Sequence, residues 1–295
     1  MKFGVFSVSM PEYDLEESAK LLSELGYDGV EWRVAEIPAE VPKEIPFEGR
    51  YWVYNRSTVD INTVVEKAPE LKALCDRYDL EIFSLTSYLN PKDHEKIEQV
   101  LKAAQIVGAP MVRVFPPQYS EKTNYNEEFA AMRKDAEYLE GLARQYGVKI
   151  IFEIHMDNLL ASPSSARRML EGLDPNCLGL IFDPGNMVNE GFENYKKSLD
   201  MLGSYVAHVH MKNGILQQDG VDELGAAKWK RVWTPLKNGM ADLKKFFQVL
   251  QASGYDGTVS IEDFSNEEST RDKLAHNLEY LRQLYAATRP EEKAE

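Results

Sequence analysis

Acidic, histidine and lysine side chains stand at the ends of four apolar segments of this sequence. The segments are VKIIFEIH, LGLIFD, VAHVHMK and TVSIEDF, and the side chains are Glu153, His155, Asp183, His210, Lys212 and Glu262. Side chains alternate between the two faces of a β-strand, so Glu153 shares a face with His155. By the same rule His210 shares a face with Lys212. Ionisable groups in buried strands are unfavourable unless they are paired or bind a metal.

Two glutamates, an aspartate and a histidine that converge would repel one another if nothing lay between them. Each uncompensated buried carboxylate costs several kcal/mol even after the protein relaxes. A divalent cation removes that cost, and three oxygen ligands with one imidazole suit Mn²⁺ or Mg²⁺, with Zn²⁺ and Co²⁺ as alternatives. The sequence therefore predicts one divalent metal site formed by Glu153, Asp183, His210 and Glu262.

Short apolar segments alternate with helical patterns along the whole chain. Eight segments have the continuous, β-branched character of buried parallel strands: residues 2–7, 28–34, 80–87, 110–115, 148–155, 178–183, 206–212 and 258–264. Amphipathic helices are predicted near residues 15–25, 61–78, 93–107, 125–146, 163–171, 190–202, 240–253 and 267–286. Eight strand–helix units predict an α/β fold, a single-domain (β/α)8 TIM barrel over residues 1–288.

The barrel places the candidate residues together, because active sites of this fold lie where the carboxyl ends of the strands meet. A doubly wound sheet would instead carry a glycine-rich phosphate turn after its first strand, and SVSMP at residues 7–11 is no such turn. Residues 35–60 and 213–238 are too long for ordinary connections and follow strands, so we expect them to cover the same face. The charged tail, residues 289–295, is expected to be disordered.

Composition excludes several classes of protein. The formal net charge is −14, which disfavours general binding to DNA or RNA. No apolar run approaches the roughly 18 residues of a membrane-spanning helix. The first residues, MKFGVFSVSMPEYDLEE, are interpreted as a strand and not as a signal peptide. Two cysteines, Cys75 and Cys177, cannot form a disulfide framework, so a cytoplasmic protein with reduced thiols is expected.

The motifs EIH, FDPGN, HVHMK and SIEDF, in that order at strand ends, resemble the xylose isomerase-like TIM-barrel superfamily of sugar isomerases and epimerases. The opening GVFSVSM, the segment LLSELGYDGVEWRV and the closing GYDGTVSIEDF are similar to that pattern as well, so the resemblance covers about residues 2–286. It implies metal ligands Glu153, Asp183, His210 and Glu262. It also implies that His155 lies beside the metal and contacts the substrate or a ligand.

Two positions depart from the ketose 3-epimerase branch of that superfamily. That branch has a histidine three residues after the metal-binding aspartate, where this chain has Asn186. It also has an arginine six residues after the metal-binding histidine, where this chain has Leu216. The HVHMK motif is closer to the inosose-dehydratase and general sugar-epimerase branches.

The resemblance implies an enzyme that acts on a ketose, aldose or keto-sugar through a metal-stabilised enediolate. Glu153 and Glu262 are predicted to be the acid–base pair, and His155 and Lys212 to assist or to bind the substrate. Isomerisation or epimerisation is the first hypothesis, and a lyase that dehydrates an inosose or eliminates from a 3-oxo-glycoside is the alternative. A related nuclease would need more histidines than the five present and a basic surface. A barrel without catalysis is disfavoured by the complete ligand set.

Other side chains carry weaker expectations. Tyr51, Trp52, Trp229 and Trp233 lie in the long segments, where they could stack on a sugar or form contacts in a homo-oligomer. His208 is expected to be a core or supporting histidine, Trp32 to pack against helices, and Arg113 to pair with Glu153 or to bind substrate. Glu31 and Arg33 share a strand face and are predicted to form an ion pair inside the barrel.

Overall fold

The computed structural model describes residues 1–40, 44 and 47–289 of the chain. The strands are β1 (Lys2–Phe6), β2 (Gly29–Ala35), β3 (Thr58–Asp60), β4 (Glu81–Ser87), β5 (Met111–Arg113), β6 (Lys149–Glu153), β7 (Leu178–Phe182), β8 (Val206–Met211), β9 (Gly214–Val221), β10 (Ala227–Trp233) and β11 (Thr258–Ile261). The helices are α1 (Leu15–Leu25), α2 (Val64–Arg77), α3 (His94–Val107), α4 (Tyr125–Tyr146), α5 (Pro163–Leu170), α6 (Pro184–Asn189), α7 (Tyr195–Leu202), α8 (Leu243–Ala252) and α9 (Thr270–Ala287).

The sheet closes on itself as a parallel barrel. Its order is β1-β11-β8-β7-β6-β5-β4-β2, and β1 also pairs with β2, so no barrel strand has a free edge. Short β3 pairs with β2 outside the ring. All eight predicted strands are present in this barrel, and the predicted single-domain TIM barrel is confirmed.

Local sequence signals set where the helices begin and end. Asp14 caps α1 by accepting a hydrogen bond from the backbone N–H of Glu17, and the Glu17 side chain accepts one from the backbone N–H of Asp14. Gly26 ends the helix in the left-handed conformation, with φ +82°. Helix α1 then buries Leu21 and Leu22 against the barrel, which is the face that its apolar spacing predicts.

Four of the strands and helices given above lie where the sequence pattern predicts loops. Strands β9 and β10 form an antiparallel hairpin within the predicted 213–238 segment, and β3 lies in the 35–60 segment. Helix α6 begins directly after Asp183. The hairpin is polar and mostly exposed, and α6 is only six residues long, so neither carries an apolar period that a sequence pattern can detect.

The barrel interior changes from apolar to ionisable side chains toward the carboxyl ends of the strands. Met111, Ile151 and Ile181 form an apolar cluster of their own. Glu153 pairs in register with Ile181, so Asp183, two residues further along, projects to the same side of the sheet as Glu153. The interior therefore ends in the acidic side chains that the sequence singles out.

Two sequence expectations concern the C-terminal tail and the two cysteines. Of the predicted disordered tail, only Arg289 belongs to the described residues, and its guanidinium lies 5.2 Å from the centre of the Tyr285 ring. Cys75 and Cys177 are both buried and unpaired. Within the described part of the chain, no helix has the length and apolar character needed to cross a membrane.

Candidate metal centre

The four predicted ligands meet at the carboxyl ends of β6, β7, β8 and β11. Glu153, Asp183, His210 and Glu262 each offer one ligand atom, and these atoms all lie within 4.8 Å of one another. Glu262 is 5% exposed and the other three are fully buried. The structure thus brings together all four residues that the sequence assigns to one metal.

The two carboxylate oxygens of Asp183 have different roles, since one caps helix α6 and the other faces the centre. Its Oδ1 caps α6 by accepting from the backbone N–H groups of Gly185 at 2.8 Å and Asn186 at 3.0 Å. Oδ2 has no hydrogen-bond partner among residues 1–40, 44 and 47–289, although the Lys212 ammonium lies 3.0 Å away. A Cβ added at Gly185 would lie 2.5 Å from the carbonyl oxygen of Lys212, so glycine is needed for α6 to approach β8.

Glu153 is held on both oxygens. Arg113 Nη1 donates to its Oε2 at 2.5 Å, and Asn186 Nδ2 donates to its Oε1 at 3.0 Å. Burial alone would raise the pKa of Glu153, but the charges of Arg113 and His210 hold that pKa well below its ordinary value. Arg113 is therefore the ion-pair partner that the sequence offers as one of two roles, and Glu153 remains a carboxylate.

Glu262 has a different environment. Its Oε2 accepts a hydrogen bond from Lys212 Nζ, and among the described residues Oε1 accepts none. Burial raises the pKa of Glu262, an effect that the Lys212 charge reduces and the Glu153 charge reinforces. Lys212 is 2% exposed and lies between Asp183 and Glu262, where it can share a proton or a substrate oxygen with them.

The predicted ion pair between Glu31 and Arg33 is wrong. Glu31 instead accepts from the Nε2 atoms of His208 at 3.0 Å and His210 at 2.9 Å. Arg33 donates to the Thr58 hydroxyl and, at 3.1 Å, to the carbonyl oxygen of Trp52. The interior of a closed barrel lets Glu31 reach strand β8 across the ring, and spacing along the sequence does not reveal that pairing.

His210 is placed between two carboxylates. Burial would lower its pKa, but the charges of Glu31 and Glu153 raise the pKa well above its ordinary value. Its Nδ1 lies 3.4 Å from Glu153 Oε1 and 3.8 Å from Glu262 Oε2, without a hydrogen bond to either. His208, fully buried one pleat deeper, is the supporting histidine that the sequence predicts.

His155 lies at the edge of the cluster and is partly exposed. Its Nδ1 is 2.7 Å from the carbonyl oxygen of Met156, which can only accept, so that nitrogen carries the hydrogen. Burial lowers the pKa of His155, against the opposing charge of Glu153. The neutral ring therefore presents Nε2 as an acceptor for a hydroxyl group.

The donor set fits a divalent cation. Two polar atoms that face the cluster, Asp183 Oδ2 and His210 Nδ1, are buried and have no hydrogen-bond partner in the part of the chain that the structure describes. Three carboxylates and one imidazole carry the charge and the ligand type that Mn²⁺ and Mg²⁺ accept, and that Zn²⁺ also accepts. Unpartnered buried donors and acceptors are rare, which is the reason to assign them to an ion.

An aromatic cavity of about 440 Å³ adjoins this centre. Tyr51 and Trp52 from one long segment and Trp233 from the other line it, together with Phe264. The Lys212 ammonium lies 5.0 Å from the Trp233 ring and 5.5 Å from the Phe264 ring, which connects the cavity with the acidic cluster. The remaining aromatic side chain of the prediction, Trp229, is 61% exposed and does not line the cavity.

Two supporting residues are not assigned to the site from the sequence. Asn186 fixes Glu153, and Glu31 contacts His210. Two features of the sequence indicate these positions. One is a polar residue at the third position after Asp183, and the other is the charged Glu31 inside the apolar strand GVEWRVA. Trp32, on the opposite pleat, donates to Cys75 Sγ of α2 at 3.3 Å, which confirms its helix-facing position.

Comparisons with known proteins agree with this architecture. An inosose dehydratase from Lacticaseibacillus casei (strain BL23) is 25% identical over 271 residues, which cover 82% of this chain and 89% of that protein. The crystal structure of apo 3-keto-D-glucoside 4-epimerase, YcjR, from E. coli has a TM-score of 0.68 and 19% identity, covering 96% of this chain and 99% of its own. The IolI protein with a bound zinc atom has a TM-score of 0.70 and 16% identity, covering 98% and 99%. At these identities the two structures show a shared fold.

A family model gives the broader assignment. The model for the xylose isomerase-like TIM barrel matches residues 19–284, which include every residue of the candidate metal centre. The resemblance seen in the motifs is thereby confirmed, and the chain belongs to the xylose isomerase-like TIM-barrel family.

Proposed function

We propose that this protein is a divalent-metal-dependent enzyme that moves a proton at the carbon beside a carbonyl group of a sugar or keto-sugar. The observation that carries the proposal is the convergence of Glu153, Asp183, His210 and Glu262 at the mouth of the barrel. The named activities of the relatives support the substrate class, because an inosose dehydratase and a keto-glucoside epimerase both act on polyhydroxylated ketones. The bound zinc in the IolI structure supports the metal.

The four ligands would hold the cation, and the cation would polarise the substrate carbonyl and make the neighbouring C–H more acidic. Glu262 is the first candidate for proton transfer, because one of its oxygens accepts no hydrogen bond from the described residues and burial raises its pKa above the ordinary value. Glu153, tied by Arg113 and Asn186, stays ionised and serves as the second carboxylate of the pair. His155 accepts a hydroxyl group through Nε2 and orients the substrate.

The fate of the proton decides the reaction. Its return to the opposite face of the same carbon gives epimerisation, and its return to the neighbouring carbon gives isomerisation.

Sugar rings present C–H faces that stack on aromatic side chains. Trp233 and Phe264 would therefore hold the substrate beside Lys212.

A dehydratase is the second candidate. An inosose dehydratase is among the curated relatives, with a match over 82% of this chain, and the Lys212 ammonium donates to Glu262 at the centre. An acid at that place can protonate a leaving hydroxyl group after Glu262 has removed the neighbouring proton. Both candidates share the first step and differ in whether water leaves.

The test is incubation of the Mn²⁺-loaded protein with inososes, ketoses and 3-keto-glycosides in D₂O, followed by NMR. We expect deuterium at a carbon beside the carbonyl, and a dehydrated product only if the second candidate holds. The Glu262→Gln variant should slow incorporation by about 10²- to 10⁴-fold and retain the fold. No exchange with any of these sugars would contradict the proposal.

A further inference from the structure

We infer that Glu31 is a positioning residue that makes Nδ1 of His210 the metal-binding nitrogen. The inference rests on the proposed metal site. Glu31 lies on β2 and is fully buried, and its side chain crosses the barrel interior to β8. Its Oε2 is 2.9 Å and its Oε1 is 3.1 Å from His210 Nε2, although 179 residues separate the two in the chain.

The hydrogen of His210 is assigned by what surrounds each nitrogen. An ionised carboxylate only accepts hydrogen bonds, so the nitrogen that faces Glu31 carries a hydrogen. With Nε2 protonated, Nδ1 is the nitrogen that can give up its hydrogen and offer a lone pair to a metal. Nδ1 faces Glu153 and Glu262 and has no hydrogen-bond partner among the described residues, which is the placement a metal ligand needs.

Glu31 is itself fixed by other donors. His208 Nε2 lies 3.0 Å from Glu31 Oε2, and the Thr86 hydroxyl donates to Oε1. The other nitrogen of His208 is 2.6 Å from the Thr258 hydroxyl, which therefore donates to it. The hydrogen bonds run in one direction, from Thr258 through His208 to Glu31, and His210 donates to the same carboxylate.

Packing holds the plane of the His210 ring as well. Phe6 stacks on it, with ring centres 5.6 Å apart and an angle of 22° between the planes. With the ring plane set by Phe6 and the Nε2 hydrogen held by Glu31, the direction of the Nδ1 lone pair is determined. Carboxylates that hold the second nitrogen of a metal-binding histidine commonly act in this way.

A second metal ion between Glu31, His208 and His210 is the competing explanation for the same residues. Their facing atoms lie 2.9–3.0 Å apart, which is direct hydrogen-bond distance, and each of these nitrogens already has a partner. The unpartnered atoms lie on the other side of His210. The contacts therefore favour a hydrogen-bonded support.

The first test is the affinity for Mn²⁺, measured by calorimetry on the wild type and on Glu31→Gln, which keeps the shape but loses the charge. We expect about 10- to 100-fold weaker binding in the variant. Thr86→Val is the matched control, because it removes one donor to Glu31 and leaves both histidines in place. A Glu31→Gln variant that is folded and binds Mn²⁺ as tightly as the wild type would overturn the inference.

The second test needs no variant. In protein with ¹⁵N-labelled histidine and bound Zn²⁺, NMR should show His210 protonated at Nε2 and coordinated through Nδ1. Coordination through Nε2, or a second ion bound between Glu31, His208 and His210, would overturn the role of Glu31. Wild-type protein that binds no divalent ion would instead overturn the proposed function itself, so the two failures are distinguishable.

Discussion

Several neighbouring side chains hold the ligands of the candidate centre, so single substitutions can separate the support of the site from its chemistry. The side chains of Arg113 and Glu153 are each 1% exposed and form a buried ion pair of the cluster. Asn186 holds the other oxygen of Glu153. Asn186 of this chain thus holds the candidate ligand Glu153, at the position where the ketose 3-epimerase branch has a histidine.

Replacing Arg113 by methionine tests how much the ion pair between Arg113 and Glu153 contributes to the free energy of unfolding. The change leaves Glu153 buried without its guanidinium partner, so metal-free protein should lose about 3–5 kcal/mol of unfolding free energy. Urea denaturation measures that loss, and bound Mn²⁺ should restore part of it. Lys72→Gln, which breaks an exposed pair on α2, is the control that should leave stability unchanged. Equal stability of both variants would contradict the account.

The pH dependence of metal binding follows from His210. Its pKa in the metal-free fold is raised above the ordinary 6.5 by Glu31 and Glu153, against the effect of burial. The raised pKa adds stability that is fully present below the unfolded value and is lost as the pH rises through the folded value. Metal needs the deprotonated Nδ1, so affinity should increase as the pH rises through the raised pKa of His210, with proton release on binding.

Calorimetry in buffers with different ionisation enthalpies measures that proton release. The Asp183→Asn variant, which keeps His210 and removes one ligand charge, should still release a proton if enough metal is supplied to saturate it. An affinity that does not change with pH, together with no proton release, would contradict the assignment of His210.

At the scale of elements, the approach of α6 to β8 sets the geometry of Asp183. We expect Gly185→Ala to weaken Mn²⁺ binding and to destabilise the fold, because its Cβ would lie 2.5 Å from the Lys212 carbonyl oxygen. Gly141→Ala in α4 is the matched control, since nothing lies within 4 Å of the added Cβ, and it should stabilise by up to about 1 kcal/mol. Unchanged metal affinity in Gly185→Ala would show that α6 does not position the ligand.

The β9–β10 hairpin is joined to the loop after β6 by one ion pair. Arg231 Nη2 lies 2.9 Å from Asp157 Oδ1, and Asp157 follows the segment that carries Glu153 and His155. We expect Arg231→Ala to speed amide hydrogen exchange in residues 214–233 and to raise KM. The neighbouring Lys230 pairs with Asp219 inside the hairpin at 3.1 Å, so Lys230→Ala, which keeps the pair between Arg231 and Asp157, should change the exchange in residues 214–233 less than Arg231→Ala does. Slow exchange in both variants would mean that the pair does not hold the hairpin.

The sequence predicts the barrel because each of its strands is an apolar segment of sufficient length. It predicts the four ligands because an ionisable residue at the end of such a segment is energetically unfavourable without a partner. It does not predict the partner of Glu31, since that depends on which strands face each other across the closed ring. It also does not predict the β9–β10 hairpin, whose polar residues carry no alternation of apolar side chains.

At the scale of the molecule, the four candidate ligands come from four strands of one closed barrel, so metal binding should stabilise the folded state. Mn²⁺ at about 100 times its Kd should add roughly 2.7 kcal/mol to the unfolding free energy of the wild type. Asp183→Asn should lose most of that increase at the same Mn²⁺ concentration. Thermal or urea unfolding with and without the metal measures it, and equal stabilisation of wild type and variant would place the bound ion elsewhere.

The homo-oligomer that the sequence allows and the cytoplasmic location stay predictions from the sequence. The net charge of the whole chain is −14, whereas the acidic residues of the candidate metal centre are buried. The negative charge of the chain opposes binding to polyanions, and the centre is proposed to bind a cation.

The central claim is that four side chains at the mouth of the barrel bind one divalent ion. Anomalous diffraction from crystals grown with Mn²⁺ tests it most directly. The account predicts a single manganese peak within coordination distance of Glu153, Asp183, His210 Nδ1 and Glu262. A peak between Glu31, His208 and His210, or no peak inside the barrel in the presence of excess Mn²⁺, would contradict it.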